Sequence, residues 1–177
     1  MATGQTPLIV IVGETASGKS ALAMRLAKHF DGEIIAADSW TVYKDFDIGT
    51  AKPTPEEQVE IPHHLLDVAD PKAGFSAPQF KRLAEQAIHD VSARGKLPFL
   101  VGGTGLYVDS VIYNYQFLPG SSPAQREQLN ALSLHDLHQQ AEAMGLDTTG
   151  IDMRNKRRVI RLIETNGARP TKEPLRP

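Results

Sequence analysis

Three short stretches hold the residue types that could do chemistry, and each follows an apolar run. The first is Gly13-Glu14-Thr15-Ala16-Ser17-Gly18-Lys19-Ser20, directly after Leu8-Ile9-Val10-Ile11-Val12. It fits the pattern G-x-x-x-x-G-K-[ST], in the strand-to-helix setting that the pattern requires. The glycines let the backbone wrap an anion without Cβ clashes, and successive N–H groups with a helix N-terminus then face it. Gly13, Glu14, Thr15, Ala16, Ser17, Gly18, Lys19 and Ser20 are therefore the candidate diphosphate- or nucleotide-binding residues. Lys19 adds a point charge at the terminal phosphates, and Ser20 adds a hydroxyl ligand for Mg²⁺. The motif indicates phosphate binding; it leaves open which phosphate compound is bound.

The second stretch is Asp38-Ser39 after Glu33-Ile34-Ile35-Ala36-Ala37, and the third is Gly102-Gly103-Thr104-Gly105 after Leu97-Pro98-Phe99-Leu100-Val101. Asp38 could hold Mg²⁺ or act as a general base toward a second substrate. Thr104 offers a hydroxyl where three glycines allow close approach. Trp40 could stack on a base or cover the core edge. His63 and His64 with Asp67 suggest a metal pair, but neighbours on an extended segment point to opposite faces, which favours packing or substrate contact.

The elements that must position these groups follow from periodicity. Apolar groups in Ala21-Leu22-Ala23-Met24-Arg25-Leu26-Ala27 have helical spacing, and Asp31-Gly32 ends that helix. Strand, helix and strand within about thirty residues make a βαβ unit and a parallel sheet. A short helix is expected from 54, a third strand over 64–68, a helix over 77–94 capped by Ser76, a strand over 97–101 and a helix over 106–113. The expected fold is α/β: a P-loop fold with a parallel sheet flanked by helices, plus a short helical insertion. In such a sheet, ligands bind beyond the carboxyl ends of the strands, so all three stretches converge on one crevice. Two short polar helices are expected over 124–144, then a basic helix over 152–166 with Arg154, Arg157, Arg158 and Arg161 on one face. The organisation expected is a catalytic core over 1–118, an insertion over 119–150, and a basic helix and extended or disordered tail over 151–177.

The chain has 177 residues, with no cysteine and a net charge of −2. That excludes disulfides, thiolate metal sites and a cysteine nucleophile. No apolar run is long enough to span a bilayer, and Met1-Ala2-Thr3-Gly4-Gln5-Thr6-Pro7 lacks the basic and apolar regions of a secretory signal, so a cytoplasmic protein without a membrane partner is expected. Residues 151–177 hold 8 Lys/Arg against 3 Asp/Glu, and residues 1–150 hold 11 against 18. A basic segment on an acidic chain is either a polyanion contact or a solvated helix face. A monomer is expected, since no coiled coil or long apolar edge is visible.

Taken in order, the P-loop, Asp38-Ser39 with Val42-Tyr43, Asp47-Ile48-Gly49-Thr50-Ala51-Lys52-Pro53, Pro62-His63-His64-Leu65-Leu66-Asp67 and Gly102-Gly103-Thr104-Gly105-Leu106-Tyr107 resemble the bacterial tRNA dimethylallyltransferase (tRNA isopentenyltransferase) family. The resemblance is dense over 8–118 and thinner beyond. It implies transfer of a dimethylallyl group from dimethylallyl diphosphate to N6 of an adenine beside the tRNA anticodon. The P-loop would hold the leaving diphosphate, with Mg²⁺ at Ser20. It implies Asp38 as base, Lys19 and Thr104 as its catalytic companions, and an adenine pocket formed by Asp38, Ser39, Trp40, Thr41 and Thr104. Arg126, Arg157, Arg158 and Arg161 would meet tRNA or phosphate.

Trp40-Thr41 stands where many members have Arg-Gln, so the adenine contacts differ. Members continue well past the basic helix, with another core strand, so the core here is expected to be incomplete. Other readings are an adenylate isopentenyltransferase acting on free nucleotide, a P-loop kinase, and an inactive fragment binding only diphosphate or RNA.

Overall fold

The computed structural model describes residues 7–173. The leader reading over residues 1–6 and the end of the expected tail, 174–177, lie outside the described residues.

Four strands form one parallel sheet: β1 (Ile9–Val12), β2 (Gly32–Ala36), β3 (His63–His64) and β4 (Leu97–Gly102), in the order β1-β4-β2-β3. Helices α1 (Lys19–His29), α2 (Pro55–Glu60), α3 (Ala77–Ala93) and α4 (Gly105–Ile112) complete this part of the chain. Apart from the paired Glu33, β2 and β4 present apolar side chains on both faces, as strands covered on both sides must. Ile34, Phe99 and Val101 pack with Ala23 and Ala27 of α1. The alternate residues Ile35 and Leu100 pack with Phe80, Ala84 and Ala87 of α3 and with Val108 and Val111 of α4. The period of two along each strand thus divides one sheet between two helical layers.

β3 is shorter than the expected 64–68. Leu65 and Asp67 adopt left-handed φ of 65° and 55°, which turns the chain out of the sheet after two residues. β1 is an edge strand with Ile9 38%, Val10 36% and Val12 60% exposed.

The chain divides into two units, one running to Tyr115 and resuming at Glu173, the other Gln116–Lys172. In the second unit, α5 (Pro123–Ala131), α6 (Leu134–Ala143) and α7 (Lys156–Glu164) share one core of Leu129, Leu137, Ala141, Val159, Ile160 and Ile163. α5 and α6 are therefore amphipathic. The helix expected over 152–166 is confined to Lys156–Glu164, so Arg154 lies before the Asn155 N-cap, outside α7.

Glu33 of β2 is buried, and its Oε2 accepts hydrogen bonds from His64 Nε2 at 2.6 Å and Arg94 at 2.7 Å. Burial pushes this carboxyl up, but the His64 and Arg94 bonds outweigh it and hold it below its ordinary value. A carboxyl lowered in the folded state stabilises above its ordinary titration range, and that stabilisation is lost as pH falls through the lowered native value. Thermal melting from pH 7 to pH 3 is expected to show this acid-side loss, and Glu33→Gln is expected to flatten that limb while lowering the melting temperature at pH 7.

Candidate active site

The three stretches meet at the carboxyl ends of β1, β2 and β4. Ala37 N–H donates to Val101 O at 2.7 Å, Thr104 N–H donates to Ala37 O at 3.2 Å, and Ser39 N–H donates to Thr104 Oγ1 at 2.9 Å. Thr104 thus ties the Asp38 loop to the start of α4. At Gly102, a Cβ would stand 2.0 Å from Ala37 O, so only glycine permits this approach. The P-loop closes from the third side, with the Cβ position of Gly103 3.1 Å from Gly13 O.

The P-loop backbone takes left-handed turns at Ala16 (φ 64°) and Gly18 (φ 80°), and Gly18 is the N-cap of α1 without any side-chain cap. Thr54, Ser76, Ser122, Ser133 and Asn155 cap the starts of α2, α3, α5, α6 and α7. The start of α1 keeps its orphan N–H groups for an anion. Lys19 Nζ folds back to donate to Glu14 O at 3.0 Å.

Beside the P-loop lies a cavity of about 240 Å³. Thr15, Lys19, Ser20, Asp38, Thr41 and Thr50 bring polar groups to it, while Ala23, Met24, Ile34, Ala36, Pro53, Leu66 and Val101 make an apolar wall. A phosphate-binding loop thus opens directly onto an apolar chamber that also receives a carboxylate. Asp38 Oδ1 accepts from Trp40 N–H at 2.9 Å, which fixes the first turn of its loop. Thr41 is buried, and its Oγ1 has no hydrogen-bond partner among the described residues. Trp40 is 59% exposed and does not line the cavity.

His63 and His64 point apart, as extended neighbours should. His63 lines the cavity and its Nδ1 donates to Ile61 O at 2.7 Å, whereas His64 pairs with Glu33. Burial lowers the His63 pKa, partly offset by the Ile61 bond, and so disfavours the charged ring. Among the described residues, no cluster of three or more His, Asp or Glu groups could hold a metal. A cation here would be held by the Ser20 hydroxyl together with diphosphate oxygens and water, a donor set that suits Mg²⁺. Tyr107 stacks on Phe80 with centroids 4.1 Å apart. Burial, with Tyr43 and Asp38 adding to it, pushes its phenol up to about 12 and keeps it neutral.

Sequence reasoning passed over Lys52. Its side chain is 5% exposed, and Nζ donates to Tyr43 O at 3.1 Å, Asp47 Oδ1 at 2.6 Å and Asp67 Oδ1 at 2.7 Å. One ammonium therefore joins the loop that supplies Thr50, Ala51 and Pro53 to the turn after β3. Burial alone would lower its pKa; the Asp47 and Asp67 bonds reverse that and raise it. The only signal was a Lys inside the Asp47–Pro53 run, and no local pattern says that a Lys will be buried. Lys52→Met is expected to cost about 1–3 kcal/mol and to open residues 43–53 to limited proteolysis before the rest of the chain. Because the pKa is raised, the wild-type contribution is complete below the ordinary lysine value and is lost only at pH above it.

Arg126, Arg157, Arg158 and Arg161 all lie in the second unit. Arg157 and Arg158 are exposed, without hydrogen-bond or ion-pair partners for their guanidinium groups among the described residues. Arg126 instead pairs with Glu164 at 2.6 Å. Arg161 donates to Leu118 O at 2.6 Å and Pro119 O at 3.1 Å. These two arginines clamp the segment leading into α5.

Residues 41–176 match the family model described as IPP transferase. A tRNA dimethylallyltransferase of Staphylococcus aureus is 49% identical, over 89% of this chain and 53% of that protein. The crystal structure of a full-length tRNA isopentenylpyrophosphate transferase from Bacillus halodurans matches with a TM-score of 0.61 and 42% identity, over 90% of this chain and 55% of that one. A eukaryotic dimethylallyltransferase acting on tRNA matches with a TM-score of 0.68 and 30% identity, over 93% of this chain and 43% of that one. The chain spans about half the length of the curated relatives it matches.

Proposed function

The chain belongs to the IPP transferase family, and from that premise we propose that the protein transfers a dimethylallyl group from dimethylallyl diphosphate to N6 of an adenine next to the tRNA anticodon. The observation that carries this reading is the pairing of an uncapped P-loop with an apolar chamber and a carboxylate. A nucleoside triphosphate has no five-carbon hydrocarbon tail to bury; an allylic diphosphate does.

The P-loop N–H groups and Lys19 hold the diphosphate. As the allylic C1–O bond breaks, its electron pair leaves with the diphosphate, and these donors stabilise the added negative charge. Magnesium, when bound through Ser20, supplies further neutralisation of that charge. The adenine N6 forms the new bond to C1 and its proton passes to the Asp38 carboxylate. Thr104 orients the Asp38 loop through Ser39 N–H. An adenine must leave its stack to reach this crevice, where Asp38, Ser39, Thr41 and Thr104 form its surroundings; Trp40 lies outside the cavity. Arg157 and Arg158 are the proposed RNA-facing cations, while Arg126 and Arg161, held by Glu164 and by the carbonyls of Leu118 and Pro119, are proposed to shape that surface. A cytoplasmic monomer is the proposed state; among the described residues no helix is long and apolar enough to cross a membrane.

The test is incubation with labelled dimethylallyl diphosphate, ATP and either tRNA or AMP. Label in tRNA supports the reading. Label in AMP would identify an adenylate isopentenyltransferase, ATP turnover without prenyl transfer a kinase, and binding without turnover a fragment that only binds.

A further inference from the structure

Outside the cavity mouth lies an aromatic group that the chemistry above does not use. Trp40 and Phe46 are stacked, with centroids 6.2 Å apart and planes 16° from parallel, and Tyr43 backs Phe46 at 5.8 Å. Trp40 is 59% exposed, Phe46 37% and the neighbouring Ile48 97%. Exposing two stacked aromatic rings in water has a cost that a ligand would recover. The backbone that carries the indole is fixed, since the Trp40 main-chain N–H donates to Asp38 Oδ1 at 2.9 Å. Asp38 lines the cavity while Trp40 and Phe46 do not, so the rings stand beside the point where an acceptor would enter.

The surrounding charge is not that of a phosphate site. Lys44 is flanked by Asp45, and Lys52 is consumed by Asp47 and Asp67. What the surface can offer is a π-face, which every nucleobase matches whatever its sequence.

We propose that Trp40, stacked on Phe46, is the platform for the unpaired nucleobase next to the acceptor adenine. The platform holds that neighbour outside the cavity while the adenine edge reaches Asp38. This rests on the tRNA reading above, and it assigns Trp40 to the flanking base and not to the adenine itself.

Trp40 is the sole tryptophan of the chain, so its fluorescence reports this surface alone. The probe is an RNA hairpin whose loop carries an unpaired adenine with unpaired neighbours. Saturable quenching of Trp40 emission is expected. Binding of the same hairpin, fluorescein-labelled and read by anisotropy, is expected to weaken roughly 5- to 100-fold in Trp40→Ala and to stay near wild type in Trp40→Phe, which keeps a ring. Because the contact is stacking, the ratio between Trp40→Ala and wild type is expected to hold from low to moderate salt. Unquenched emission in the presence of saturating hairpin overturns the platform, as does Trp40→Ala binding the hairpin as tightly as wild type. A blue shift that grows with protein concentration, without RNA, also overturns it by naming a second copy as the occupant. Calorimetric titration with inorganic diphosphate separately decides the reading beneath: a chain that takes diphosphate yet shows no quenching keeps its proposed function and loses this platform.

Discussion

Asp38→Ala is expected to slow dimethylallyl transfer by roughly 10²–10⁴-fold, the range over which a positioned general base contributes. Diphosphate affinity is expected to stay close to wild type. The adenine amine is a weak nucleophile because its lone pair is delocalised into the ring, so removing the acceptor for its proton should affect the bond-forming step strongly. Asp38 follows β2, its Oδ1 accepts from Trp40 N–H, and it lines the same cavity as Lys19 and Ser20. Asp38→Asn keeps the hydrogen-bond acceptor and the loop but cannot take the proton. It should match the alanine variant in rate and the wild type in melting temperature. Single-turnover transfer and diphosphate calorimetry are the measurements. If diphosphate affinity in the presence of Mg²⁺ falls together with the rate, Asp38 serves the metal and not the base.

Lys19→Ala is expected to lower diphosphate affinity and the transfer rate together, by about 10²–10³-fold in transfer. Lys19 opens α1 directly behind the left-handed Gly18, at the helix start that lacks a side-chain cap. Its ammonium donates to Glu14 O, a carbonyl of the loop itself. Little of the fold rests on it, and the unfolding free energy should stay within about 0.5 kcal/mol of wild type, as is typical of surface changes. Lys19→Arg should restore little, because a planar fork cannot replace a compact charge among converging N–H groups. Calorimetry with diphosphate is decisive here: unaltered affinity in Lys19→Ala would remove the loop from donor binding.

The two variants separate because they act on different halves of the site, and the sequence made those halves legible for different reasons. The P-loop is a local object whose turn, charge and helix start lie within eight residues. Asp38 and Thr104 are 66 positions apart, yet a parallel α/β topology sends every strand's carboxyl end to the same side, so their convergence follows from the element order. The third strand is shorter than its apolar run suggests because nothing in Leu65-Leu66-Asp67 announces left-handed φ; that turn is accompanied by the Lys52–Asp67 bond and the burial of Leu65.

What the sequence by itself determined is whatever period and near neighbours encode: the βαβ order, the two-sided burial of β2 and β4, the phosphate loop and the strand-end carboxylate. Only the tertiary structure decided which charges were already taken. Arg126 and Arg161 read as cations for a polyanion, but Glu164 and the carbonyls of Leu118 and Pro119 hold them. Lys52 read as one letter of a motif, but three acceptors bury it. The apolar wall beside the P-loop is assembled from α1, β2, β4 and the loop before α2. A charge or a methyl group carries no mark of its eventual partner, because such partners are chosen by packing between segments tens of residues apart.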